Sequence, residues 1–365
     1  ITSNDGTGST TSTGLTVGAT GTPADAATLT AIAGTIGQSQ AITAGTLTTS
    51  SVGGTTLASA NAVGNFNATN TTSGNITLNN TSPLLTVTGV SQVPSGALTL
   101  NQTGNLTLTG SILSGPQSIS ATGNISVLAS SSTNVSATGS QTVNAGGTLS
   151  LQGAATGTNS FARLSATGGQ NISASGITLT GGGGSGNFAE IAQNGGSSTQ
   201  TITVTGGGTL GLTGGSSGSG NFASIRNQGI SQQIDFASGG AIAITGGSGV
   251  SDDFAHLRAT AGTQTITGSP TITLTGGTGV VDDHGNFAQI RAAVGPQIIT
   301  AGTTTVTAGA SGISNNAIIQ SPSQTITVNG NLMLSGGGTD RGTIVGAVRA
   351  SVAWAGARPI SALPC

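Results

Sequence analysis

The sequence predicts an all-β protein built as a right-handed parallel β-helix with three short strands per coil. Two observations carry that prediction. First, one phrase recurs: "NFAEI", "NFASI", "DFAHL" and "NFAQI" begin at Asn187, Asn221, Asp253 and Asn286, each followed by a Gln-led strand and then a second short strand. Second, those strands alternate. In "QTITVTG" Ile202 and Val204 interleave with Thr201, Thr203 and Thr205, and in "PTITLTG" Ile272 and Leu274 interleave with Thr271, Thr273 and Thr275. A period of two puts aliphatic side chains on one face and hydroxyls on the other, and β-branched residues suit a strand.

Three strands cannot bury an apolar face alone, but they can when the chain coils and equivalent strands lie about 4.8 Å above one another in parallel. Parallel crossovers set the right hand. Gly-rich breaks such as "GGGGSGN" at 181–187 and "GGSSGSGN" at 214–221 supply the corners.

Taken in chain order, residues 1–40 alternate weakly and are expected to form an irregular coil or cap. Residues 41–160 carry shorter, barer coils, among them "GNITLNN", "GALTLNQ", "GNLTLTG" and "GNISVLA". Residues 161–338 carry the Phe-marked repeats of about 27–34 residues, with landmarks at Phe161, Phe188, Phe222, Phe254 and Phe287 and a degenerate "NAII" at Asn316. A Gln landmark keeps step at Gln117, Gln141, Gln170, Gln200, Gln233, Gln264, Gln297 and Gln324. Residues 339–365, with Trp354, are expected to form a C-terminal tail or cap over an otherwise exposed strand edge.

Composition narrows function. Of 365 residues, 64 are Gly and only 4% are charged; Lys and Tyr are absent, and all seven basic residues are Arg. A formal net charge of −2 argues against nucleic-acid binding and anionic membrane attachment. The apolar residues fall in short runs below the roughly 18–20 that a membrane helix requires, so no membrane span is expected. One cysteine, Cys365, excludes an internal disulfide framework and a cysteine zinc site. The sequence starts at Ile1 without a basic-then-apolar segment, so an export signal is expected to have been removed or to lie outside it.

The phrases "GNLTLTG", "GNISVLA" and "GGTLSLQG", set in Asn/Gly/Thr-rich coils, resemble the filamentous haemagglutinin family of exported bacterial β-helix proteins. The resemblance spans roughly Asn65 to Gly338; the family's N-terminal secretion domain is not recognisable in residues 1–60. It implies a secreted, two-partner-secretion-type adhesin at the cell surface, acting in adhesion, aggregation or matrix formation. The expected partners are further copies, through fibre formation or end-to-end stacking, and a host-cell or glycan receptor.

Chemistry is sparse. Asp252–Asp253 and Asp282–Asp283 precede Phe254 and Phe287 on neighbouring coils, with His256 and His284 nearby, and are the weak candidates for a metal or catalytic site. Their spacing matches no recognised motif, so no enzyme and no cofactor is expected. The alternatives are a polysaccharide lyase or hydrolase on a β-helix, or an ice-binding solenoid with Thr201, Thr203 and Thr205 stacked above Thr271, Thr273 and Thr275. Phe222 and Ile225 are expected in the core. Arg226, Arg258 and Arg291 each fall four residues after a repeat Phe and are expected to form an outer ladder, compensated by the Asp pairs. Asn67, Asn75, Asn105 and Asn124 are candidate glycosylation sites, and further sequons stand at Asn70, Asn79, Asn80, Asn101, Asn134 and Asn171.

Overall fold

The computed structural model describes residues 2–3, 10–12, 26–129, 131–279, 285–312, 314–336 and 342–351, with side chains from residue 26 to residue 336. Every strand pairing among these residues is parallel, and each strand is bonded to its equivalent one coil away. The protein is a β-solenoid of three stacked sheets.

The first sheet contains the Gln-led strands, including Gln170–Ala174, Thr199–Val204, Ser231–Phe236 and Thr263–Thr267. The second contains the Thr-rich strands, including Gly176–Thr180, Thr209–Thr213, Ala241–Thr245 and Thr271–Thr275. The third contains the strands that follow each repeat Phe: Ala162–Ala166, Ala189–Gln193, Ala223–Asn227, Ala255–Ala259 and Ala288–Ala292. Near the N-terminal end the corner between two sheets is lost: Thr55–Asn70 runs on and pairs with both Ile76–Asn80 and Leu84–Gln92.

Alternation fills the interior. Ile172, Ile202, Ile234, Ile266, Ile299 and Ile326 stack in register down the first sheet, all buried. Leu164, Ile191, Ile225, Leu257 and Ile290 form the matching column in the third. Each such side chain removes apolar surface from water, worth about 1.5–3 kcal/mol apiece, and the column is continuous because the repeats stay in register.

The interior also carries two polar ladders. In the first, each glutamine amide donates to the amide oxygen of the glutamine one coil earlier, from Gln141 onto Gln117 at 2.8 Å through Gln170, Gln200, Gln232, Gln264 and Gln297 to Gln324 at 3.0 Å. The ladder member in its fifth coil is Gln232; Gln233, the residue expected there, is exposed. Parity explains the difference: Gln232 lies two positions before the inward Ile234 and shares its face, whereas Gln233 lies one before it.

The second ladder lines the corner before the third sheet. The backbone N–H groups of Ser160, Asn187, Asn221, Asp253 and Asn286 each donate to the side-chain oxygen of the equivalent residue one coil on, at 2.7–2.9 Å. Those corners pack backbone against backbone: a Cβ on Gly218, at φ 74°, would sit 1.5 Å from the Gly184 carbonyl oxygen. Glycine is required there by both conformation and space.

Candidate functional site

The outer face of the third sheet gathers the five landmark phenylalanines and most of the charged side chains of the repeats among the described residues. A strand sends alternate residues outward, so the residue before the strand, its second residue and its fourth share one face. Three columns result. The first is the Phe stack. The second runs Arg163, Glu190, Ser224, His256, Gln289; the third includes Ala192, Arg226, Arg258, Arg291 and Gln320.

The five repeat phenylalanines lie ring upon ring, with centroids 4.6–5.0 Å apart and planes within 3–7°. They are half-buried on the outside of the sheet and do not form the core. Phe222 therefore does not share the interior with Ile225: three positions apart in a strand, the two side chains must point to opposite faces. Because ring faces cover one another, the stack offers ring edges to its surroundings. An edge carries the positive part of the aromatic quadrupole.

The expected Arg ladder is present, with Arg226, Arg258 and Arg291 in register on adjacent coils. Its compensation comes from a residue other than the one expected. Glu190, buried, bonds Arg163 at 2.8 Å on one side and Arg226 at 3.2 Å on the other, while the Arg163 guanidinium lies 5.1 and 5.0 Å from the Phe161 and Phe188 ring centroids. Asp253 is five positions before Arg258, an odd separation, and its side chain sits in the buried corner ladder. Asp282, Asp283 and His284 lie outside the described residues. Among the described residues no three His, Cys, Asp or Glu side chains gather to hold a metal ion.

Arg258 and Arg291 have no carboxylate partner among the described residues. The Arg258 Nε is buried without a hydrogen bond. Burial, followed by repulsion from Arg291 and Arg226, pushes the Arg258 pKa down. His256, beside it, stacks on Phe254 at 4.8 Å and shares a 2.9 Å hydrogen bond with Ser224 Oγ. Burial first, and then the three arginines, hold His256 down to about 3, so the imidazole is neutral.

Asp253 interrupts the corner ladder chemically. Asn221 and Asn315 use their side-chain NH2 groups to donate to corner carbonyls, at 2.6 and 2.9 Å for Asn221. Asp253 has an oxygen in that place, buried and without a partner. Burial raises its pKa to about 6, against the pull of its hydrogen bonds from Asn221 and with a smaller push from Asp252.

On the first sheet, nearer the N-terminal end, a shallow groove of about 770 Å³ runs over Asn79, Asn101, Ser120 and Asn144. Asn101 donates to Asn79 at 2.8 Å and Ser120 to Asn101 at 2.9 Å. Its lining is uncharged.

The Thr arrays do not stack as expected. Thr201 lies between Asn171 and Gln233 on the first sheet, whereas Thr273 lies between Ala243 and Thr305 on the second. Asn75, Asn105 and Asn124 are exposed at a corner, where their side-chain oxygens accept backbone N–H groups of Ala97, Asn124 and Thr148 at 2.8–2.9 Å. Asn67 is half-buried. Asn70 and Asn80 are buried with their NH2 groups engaged, which removes them as sugar acceptors in the folded chain.

No family model, curated protein or solved structure matches the chain.

Proposed function

We propose that this chain is a non-enzymatic, secreted rod of the filamentous haemagglutinin type, serving as a structural and adhesive element of a bacterial surface fibre or matrix. The observation that carries the proposal is axial continuity. Three parallel sheets and a seven-bond glutamine ladder run through the coils without a break, about 34 Å for those seven steps at the usual strand spacing. The charges on its outer face are few and largely tied into the framework. Glu190 bridges two arginines, and Asp235 accepts from Thr267 at 2.5 Å and from Gln233 at 2.8 Å. Hydrolysis or lyase chemistry needs carboxylates or bases free to meet a substrate, whereas Glu190 and Asp235 are committed to structure. A rod of this kind works by length, rigidity and repeated surface contacts, adding copies end to end where its terminal coils are open.

Electron microscopy of the purified protein, with cell-binding and glycan-turnover assays alongside, tests the reading. Rods or uniform fibres that bind cells without consuming glycans are expected. Compact globular particles, or turnover of a polyuronide, would overturn it.

A further inference from the structure

From Arg258 and Arg291, unpaired among the described residues, we infer that their stretch of the third sheet's outer face is a binding stripe for an acidic polysaccharide whose charges are carboxylates. This rests on the adhesive reading and names the class of glycan it would engage.

Charge along this column is unbalanced. Stacked guanidiniums one strand spacing apart repel one another, and among the described residues a carboxylate relieves this at the start of the column, where Glu190 takes Arg226 together with Arg163. Arg258 and Arg291 continue the column with no carboxylate beside them among the described residues. The imidazole beside them is neutral and adds no charge of its own. A carboxylate answers the unmatched positive charge, since the outward nitrogens of a guanidinium fork pair with it through two charge-assisted hydrogen bonds.

Geometry selects a linear polymer. The two arginines are held in register on adjacent strands, so their charges repeat along the rod axis at about the 4.8 Å strand spacing. A polyuronide carries one carboxylate on every sugar and can answer successive rungs. The neighbouring Phe254 and Phe287 are stacked 4.8 Å apart and turn ring edges outward, suited to electronegative sugar oxygens. Within the stack the ring faces cover one another and leave little platform for a neutral sugar, so charge dominates the selectivity.

The test is titration of the intact chain with oligogalacturonate at low salt, followed by calorimetry or fluorescence. Arg258→Gln/Arg291→Gln is the informative variant because the same column already continues with Gln320, so the sheet accepts that residue. Arg163→Gln, which removes an arginine outside this column, is the control, and circular dichroism establishes that each variant is folded. Expected are salt-sensitive binding by the wild type, loss of at least about tenfold in affinity in the double variant, and a smaller dependence on salt there. The control should bind within about twofold of wild type. Absence of binding, equal binding by the double variant, equal binding of neutral dextran, or binding of sulfated glycans alone would each overturn the inference. Fibres seen by microscopy with no oligogalacturonate binding would defeat the stripe while leaving the rod intact.

Discussion

Asp253 accepts the backbone N–H of Asn221 on its Oδ1 at 2.7 Å, as Asn286 accepts that of Asp253 at 2.9 Å one coil on. The rung is thus preserved by an aspartate, but its second oxygen stands where neighbouring rungs present an NH2 donor. Asp253→Asn restores the donor without changing size and should stabilise the fold by about 1–3 kcal/mol at neutral pH, the usual cost of a buried unsatisfied group. Urea unfolding at pH 7.5 measures it; a destabilised variant would show that the corner needs the carboxylate.

Acid dependence should expose two opposed titrations. Asp253 rises from 3.8 to about 6 on folding, so its penalty is full above pH 6 and is relieved as pH falls toward 4. His256 falls from 6.5 to about 3, so the stability associated with its neutral form is full above pH 6.5 and is lost as pH falls toward 3. Between about pH 4 and 6 one group takes up a proton on folding while the other releases one, and their contributions cancel. Asp253→Asn should therefore make stability fall with acid across that window, and His256→Gln should make it rise. Parallel curves for the two variants would contradict the assignment.

The glutamine ladder makes a sharp comparison between adjacent residues. Gln232 donates to Gln200 at 2.7 Å and accepts from Gln264 at 2.7 Å, whereas Gln233 is exposed. Gln232→Met keeps the volume but strands a donor on Gln264 and an acceptor on Gln200, and should cost roughly 2–5 kcal/mol. Gln233→Met should change stability by no more than about 0.5 kcal/mol. Denaturant midpoints for the pair decide whether the ladder is placed correctly.

The fold was legible because its signal is periodic: three strands per coil follow from the spacing of Ile202, Leu210 and Ile225 and their repeats. The faces follow from parity, which the expectations for Phe222 and Gln233 did not apply. Phe222 and Ile225 differ by an odd number and must part; Gln232 and Ile234 differ by an even number and must agree. What the spacing within one coil does not contain is the relation between coils. Only when "FARL" is laid over "FAEI" and "FASIR" does Glu190 fall between Arg163 and Arg226, and only then is it visible that Arg258 and Arg291 have no carboxylate among the described residues. The unmatched oxygen of Asp253 becomes visible in the same way, by comparison with Asn221 and Asn286.

Glu190 ties the framework to the proposed stripe, so its removal should act on both. Glu190→Gln leaves Arg163 and Arg226 without their anion at a site where the carboxylate side chain is 5% exposed. The expected loss is about 1–3 kcal/mol, between the values for exposed and fully buried pairs. Three consecutive uncompensated arginines would then repel along the column, so added salt should recover more stability in this variant than in the wild type. The same change frees Arg226 to join Arg258 and Arg291, lengthening the cationic run by one rung. Oligogalacturonate should accordingly bind Glu190→Gln several-fold more tightly than wild type at low salt, provided circular dichroism shows the sheet intact. Weaker binding by a folded Glu190→Gln would mean that the glycan does not lie along this column.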